Sequence, residues 1–121
     1  MFKILIAEDD RELRQLFAHV LTKNGYTVLG VSNGEEALAA LEQSYYDLII
    51  SDIMMPKMDG YAATRQIRTL PSDVANVPIV AMTANAFEED KQKTIRAGMN
   101  AHIAKPIEAG RLMETLSHIL T

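Results

Sequence analysis

The stretch SDIMMPKMDG at residues 51–60 is the strongest indication of the fold, because an apolar strand changes there into a polar turn within one residue. The apolar run at 48–50 is typical of a parallel strand buried on both faces, and Pro56 and Gly60 mark a loop before a helical pattern resumes. In an open parallel α/β sheet, ligands bind outside the carboxyl ends of the strands, so Asp52 is expected to face such a site. The alternative is that Asp52 is a turn acid or a helix cap.

The same change from strand to polar residue recurs along the chain. A strand at 2–7 ends in the acids of residues 8–10, and a strand at 79–82 ends at Thr83. Each strand is followed by apolar residues at helical spacing, and this alternation predicts parallel βαβ units joined by right-handed crossovers. We therefore predict one α/β domain over residues 1–121, with a doubly wound sheet of five strands flanked by five helices. The predicted strands are residues 2–7, 27–31, 47–50, 79–82 and 101–104, and the third and fourth helices are predicted at 60–70 and 85–97.

Local signals assign individual residues within this pattern. Apolar residues at helical spacing place Leu16 on the buried face of the first helix, and Asp10 is its predicted cap. The second strand is more polar and contains Gly30, which predicts a position at the sheet edge. The fourth helix has a thin apolar face, consisting of Phe87 and Ile95, which predicts loose packing. The connection at 71–76 is predicted to be polar and irregular.

Composition restricts the class of protein. A chain of 121 residues with 48% hydrophobic content is the size of one domain with its own core. The absence of cysteine excludes thiol catalysis and thiolate metal sites. The net charge of −4, without a run of basic residues, argues against nucleic acid as a direct partner. No apolar run is long enough to cross a membrane, so we expect a soluble, cytoplasmic domain.

The predicted strand ends would gather five functional side chains at one edge of the sheet. These are Glu8, Asp9, Asp52, Thr83 and Lys105. Three nearby carboxylates repel each other unless a cation lies between them, and Mg²⁺ is the natural candidate because it prefers oxygen ligands together with a phosphate. The lysine and the hydroxyl would then neutralise and hydrogen-bond the phosphoryl oxygens.

The motifs at these strand ends resemble a known family. ILIAEDD at 4–10, DIMMPKMDG at 52–60, TA at 83–84 and KP at 105–106 strongly resemble the receiver domain of two-component response regulators and hybrid sensor kinases. The resemblance covers essentially the whole chain, and the segments at 82–86 and 97–100 are most similar to receivers of hybrid kinases. It implies a flavodoxin-like fold with strand order 2-1-3-4-5.

The resemblance also implies a role for each acidic residue. Asp52 would accept a phosphoryl group from a phosphohistidine of a sensor histidine kinase or a histidine phosphotransfer protein. Glu8 and Asp9 would hold Mg²⁺, with Asp52 and the backbone carbonyl of Met54 completing the protein ligands. The chain would then be a phosphoacceptor signalling domain and not an enzyme, because it would catalyse only its own phosphotransfer and dephosphorylation.

The remaining implied residues concern signalling. Thr83 and Lys105 would contact the phosphoryl group, and Thr83 would switch a partner-binding surface made of the fourth helix, the fifth strand and the last helix. His102 occupies the position where the family usually has Tyr or Phe, so a switch role for His102 competes with that of a plain strand residue. The implied assembly is a monomer or a weak dimer that contacts neither nucleic acid nor membrane.

Three other functions remain open at this point. A Mg²⁺-dependent phosphatase of the haloacid dehalogenase type would also use a strand-end Asp, but it would need a second Asp at the position of Met54. A flavodoxin-like binding module would need Ser, Thr or Gly in the first loop, where acids stand at 8–10 and would repel a phosphate. An unphosphorylated docking domain would leave the complete set of acceptor residues without a purpose.

Overall fold

Five parallel strands form one sheet in the order β2-β1-β3-β4-β5, as predicted. The computed structural model describes residues 2–55, 57–71, 73–83, 88–104 and 108–120, without the side chains of residues 88–90. The strands are β1 Lys3–Ala7, β2 Thr27–Val31, β3 Leu48–Asp52, β4 Ile79–Thr83 and β5 Ala101–Ala104. The helices are α1 Arg11–Lys23, α2 Gly34–Gln43, α3 Gly60–Arg68, α4 Glu88–Ala97 and α5 Ala109–Leu120.

Alternation along the strands divides the apolar side chains between two faces of the sheet. Ile4 and Ile6 of β1 face α1 and α5, whereas Leu5 and Ala7 face α2 and α3. Both faces of β1, β3 and β4 are buried, which explains their continuous apolar sequences. β2 lies at the edge, as its polar sequence predicted. Within the described part of the chain, no helix has the length and hydropathy that a membrane span requires.

Side-chain caps fix where three helices begin. The Asp10 carboxylate accepts hydrogen bonds from the backbone N–H groups of Glu12 and Leu13, which confirms its predicted role. Asn33 caps α2 and Asp59 caps α3 in the same way. Each cap lies in a loop at the carboxyl end of a strand. These helices therefore begin at the same end of the sheet where the candidate site residues were predicted to gather.

The structure moves several predicted boundaries. β3 and β4 each extend to the polar residue that was expected to follow the strand, so Asp52 and Thr83 are the last strand residues. Phe2 is exposed and lies outside β1. Residues Asp73–Asn76 form a 3₁₀ turn inside the connection that was predicted to be irregular.

Two apolar residues are not buried where helical spacing placed them. Leu16 is 57% exposed and Ile95 is 70% exposed, so both assignments were wrong. Leu16 lies at the margin of the apolar stripe of α1, one residue before the buried Phe17. In α4 the small residues Thr94 and Ala97 are buried instead, while Phe87 lies outside the described residues.

Arg68, at the end of α3, joins three parts of the chain at the amino end of the sheet. Its Nε and Nη2 donate to the Gly98 carbonyl at 2.9 and 2.6 Å. Its Nη1 donates to the carbonyls of Ala75 and Val77 at 2.9 and 2.6 Å, and Nη2 also donates to Asn100 Oδ1 at 2.8 Å. A guanidinium has five N–H groups, so these five hydrogen bonds use all of its donors, and Arg68 anchors the segments around residues 75–77 and 98–100 to the end of α3.

Candidate functional site

Three carboxylates meet at the carboxyl end of the sheet. One oxygen from each of Glu8, Asp9 and Asp52 can be chosen so that all lie within 4.8 Å of one another, and we call these residues the carboxylate cluster. β1 and β3 are in register up to Ala7 and Ser51, so Glu8, directly after β1, comes beside Asp52, the last residue of β3. Glu8 and Asp52 are buried and Asp9 is exposed, which leaves the cluster open to solvent on one side.

Backbone hydrogen bonds fix the two strand ends that carry the cluster. The Glu8 N–H donates to the Val31 carbonyl at 3.0 Å, and Glu8 Oε2 accepts a hydrogen bond from the Asp10 N–H at 3.2 Å. Asp52 Oδ1 accepts a hydrogen bond from the Met54 N–H at 3.2 Å. The carboxylates are therefore held by their own loops before any ligand binds.

Gly60 brings the start of α3 against the strand that carries Asp52. A Cβ at Gly60 would lie 2.5 Å from the Asp52 carbonyl oxygen, which leaves room for no side chain. The Gly60 N–H donates to the Ile53 carbonyl at 3.0 Å, and the Ser51 hydroxyl donates to the Asp52 carbonyl at 3.0 Å. The backbone at Asp52 is therefore tied to α3.

Burial and neighbouring acids raise the pKa of Glu8 from 4.5 to about 7. Loss of solvation is the largest cause, followed by hydrogen bonds with the Asp52 and Asp9 side chains and by the charge of Asp52, while the Asp10 N–H opposes the shift. A proton on Glu8 thus reduces the negative charge of the carboxylate cluster, and a divalent cation would reduce it further. The donors are all carboxylate oxygens, the ligand type that a hard divalent ion prefers, so the cluster fits Mg²⁺.

This pKa predicts how pH affects the stability of the metal-free protein. Because folded Glu8 holds its proton up to about pH 7 and an unfolded glutamate loses it near 4.5, the folded state loses stability as pH rises across that window. The loss is up to roughly 3 kcal/mol. We expect Glu8→Gln to remove this component, so that the variant gains stability over the parent chain at pH 8 but not at pH 4.

Urea unfolding in EDTA at several pH values measures this difference. A gap between the two proteins that does not change with pH would contradict the assignment of the titration to Glu8. The same experiment with Glu12→Gln, an exposed acid in the first turn of α1, controls for the loss of one carboxylate.

The other predicted site residues lie on the neighbouring strands or outside the described residues. Thr83 is buried at the end of β4, beside Ala104 of β5 in the strand register. His102 is half-buried and stands two residues earlier on β5, on the same face as Ala104. Lys105 follows directly but lies outside the described residues.

Two further findings concern residues near the cluster. The Met54 side chain is 76% exposed, and the placement of its carbonyl as a metal ligand stays a prediction. Arg14 was not predicted at this end of the sheet, yet its Nη1 donates to the Glu8 carbonyl at 2.7 Å. An Arg in the first turns of a helix carries no sequence signal for such a contact, because it is usually solvated.

Comparison with known proteins decides the family. The family model described as the response regulator receiver domain matches residues 4–117. This chain belongs to that family. Receivers act in two-component phosphorelay signalling, so the predicted functional class is confirmed.

Relatives of this receiver include larger kinases. The sensor histidine kinase RcsC of Salmonella typhi is 37% identical over 114 residues, which cover 94% of this chain and 12% of that protein. The hybrid signal transduction histidine kinase B of Dictyostelium discoideum is 39% identical over 121 residues, which cover 92% of this chain and 6% of that protein. The receiver therefore spans only a small part of the length of these kinases.

A solved structure shares the fold of this receiver. It is the receiver domain of the sensor histidine kinase PA1611 from Pseudomonas aeruginosa, described with a magnesium ion coordinated in its active site cleft. The TM-score is 0.90 with 36% identity, over 98% of this chain and 97% of that one. The similarity confirms the predicted flavodoxin-like fold of the receiver.

Proposed function

We propose that this receiver accepts a phosphoryl group on Asp52 from a phosphohistidine of a sensor histidine kinase or a histidine phosphotransfer protein. A carboxylate oxygen of Asp52 forms the new P–O bond as the P–N bond to the imidazole breaks, and the released imidazole takes up a proton. The observation that carries the proposal is the carboxylate cluster, in which buried Asp52 lies beside buried Glu8 at the carboxyl end of the central strands.

Glu8, Asp9 and Asp52, together with the Met54 carbonyl, are the residues that would hold Mg²⁺. When bound, the ion neutralises and orients the phosphoryl oxygens. The raised pKa of Glu8 supports this assignment, because a site that favours a proton gains from a divalent charge. The hydrogen bond from the Met54 N–H to Asp52 Oδ1 orients the acceptor carboxylate for attack.

Thr83 and Lys105 are the proposed contacts of the phosphoryl group, and Thr83 and His102 the proposed switch residues. Thr83 ends β4 one position past the residue that pairs with Asp52, which supports its role. The surface of α4, β5 and α5 would change on phosphorylation. The cytoplasmic location and the monomeric or weakly dimeric state stay predictions from sequence.

Phosphatase turnover of external esters is the weaker candidate. Such an enzyme needs an acid two residues after the nucleophile, where this chain has exposed Met54. We therefore infer that the only chemistry of the receiver is its own phosphorylation and dephosphorylation.

Incubation with acetyl phosphate and Mg²⁺, followed by intact-mass spectrometry, tests the proposal. We expect the mass of one phosphoryl group to be added with Mg²⁺ and none with EDTA. Proteolytic mapping should place it in the peptide that contains Asp52. No added mass under these conditions, or a phosphoryl group on another residue, would contradict the proposal.

Magnesium should also stabilise the unphosphorylated receiver. Ligands that bind only the folded state raise the unfolding temperature by mass action, so millimolar Mg²⁺ should raise it in the parent chain. Asp9→Ala should lose most of this increase because it removes the exposed ligand of the carboxylate cluster. Differential scanning calorimetry measures both, with Glu12→Ala as the control, and an equal increase in Asp9→Ala would show that the site is misassigned.

A further inference from the structure

We propose that Arg14 is a positioning residue for the carboxylate cluster, and that Gly30 of the edge strand provides the space in which it lies. The inference rests on the proposed function, because it assigns to Arg14 an effect on Mg²⁺ binding at Glu8 and Asp9. Arg14 acts through the backbone, and it is not itself offered as a metal ligand.

The guanidinium holds the peptide that links the two acids of the first loop. Arg14 Nη1 donates to the Glu8 carbonyl oxygen at 2.7 Å, and that carbonyl belongs to the peptide plane of the Asp9 nitrogen. The backbone N–H of Arg14 also donates to the Asp10 carbonyl at 2.9 Å. Rotation of this peptide would turn Glu8 and Asp9 away from Asp52, so Arg14 opposes the motion that would open the cluster.

The stem of Arg14 packs against Gly30, where β2 has no side chain. A Cβ at Gly30 would lie 3.0 Å from both Cγ and Cδ of Arg14 and 3.6 Å from its Nε. The φ angle of Gly30 is outside the left-handed range, so the backbone does not require glycine here. The space that Gly30 leaves is therefore used by Arg14, and a larger residue would displace the stem.

Glu36 is a further, weaker electrostatic neighbour of Arg14. Hydrogen bonds from the Ser32 hydroxyl and N–H lower the pKa of Glu36, and the charges of Lys57 and Arg14 add to the effect. Glu36 in the first turn of α2 is thus an anion that the charge of Arg14 affects.

Side chains that hydrogen-bond to a metal-binding residue without contacting the metal typically change metal affinity about 10–100-fold when they are replaced.

A double-mutant cycle with Mg²⁺ as the probe tests this inference. Isothermal titration calorimetry of the full chain gives the Mg²⁺ dissociation constant of the parent, Arg14→Met, Arg14→Lys, Gly30→Val and the Arg14→Met/Gly30→Val double variant. Arg11→Met removes an equal charge from an exposed position on the same helix and is the matched control. Circular dichroism and the unfolding temperature report whether each variant is folded.

We expect Arg14→Met to weaken Mg²⁺ binding at least about 10-fold, Arg14→Lys to recover part of the loss, and Arg11→Met to bind within about twofold of the parent. Gly30→Val should weaken binding in the parent but have no further effect in Arg14→Met. If Arg14→Met does not fold, Arg14→Lys and Gly30→Val carry the test.

Equal affinities in Arg14→Met and Arg11→Met, or an effect of Gly30→Val that adds to that of Arg14→Met, would overturn the role of Arg14. Failure of the parent chain itself to bind Mg²⁺ would instead overturn the metal site of the proposed function. The two failures are therefore distinguishable.

Discussion

Asp52→Asn should abolish phosphorylation of the receiver and leave its fold intact. The amide has nearly the shape of the carboxylate, and its Oδ1 can still accept the hydrogen bond from the Met54 N–H. It lacks the negative charge that makes the oxygen a nucleophile. Removing one charge beside buried Glu8 should also reduce repulsion, so the metal-free variant is expected to unfold at an equal or higher temperature.

The measurement is the amount of base-labile phosphoryl group after incubation with acetyl phosphate and Mg²⁺. Asp59→Asn is the matched control, because it makes the same chemical change in the same loop at a position where asparagine also caps a helix. The control should be phosphorylated normally. Normal yield in Asp52→Asn would remove Asp52 as the acceptor.

Arg68→Met should cause the largest loss of stability among single substitutions of the basic residues described. It removes five hydrogen bonds and leaves the carbonyls of Ala75, Val77 and Gly98 without their donor. Because the site is half-buried, water can replace only part of this, and we expect a loss of about 2–4 kcal/mol. The unfolding temperature should fall by roughly 10 °C.

Arg65→Met is the control for Arg68→Met, since Arg65 is exposed three residues earlier on α3. Its effect should stay within about 0.5 kcal/mol. Arg68→Lys should recover little, because one ammonium group cannot reach the same set of carbonyls. Equal unfolding free energies in urea for Arg68→Met and Arg65→Met would contradict the anchor role.

Much of the fold could be predicted because its signals are local. The apolar runs of β3 and β4 and the cap at Asp10 are each readable within a few residues. Leu16 and Ile95 were placed wrongly because periodicity identifies the apolar face of a helix but not how much of that face the sheet and neighbouring helices cover. The 3₁₀ turn was missed because a single turn has no period to detect.

The site residues were also predictable only in part. The acids at 8–9 and Asp52 could be predicted to meet, because parallel strands bring their carboxyl ends to one edge. The contacts of Arg14 and Arg68 could not be predicted, since all but one of the partners are main-chain carbonyls, which any sequence provides. Gly30 was taken only as a sign of an edge strand, and the side chain that occupies its space becomes visible only in three dimensions.

The parallel sheet also has a consequence for how the chain folds. All four neighbouring strand pairs of the sheet are parallel, so each pairing must wait for a complete helical crossover, and such topologies fold more slowly than helical bundles. The Lys3 N–H, which donates to Asp47 Oδ2, must find a partner 44 positions away. During synthesis β1 can pair with β2 early, but its other edge stays open to association with other chains until β3 emerges. The strand that carries Asp52 is thus also the strand whose arrival closes the centre of the sheet.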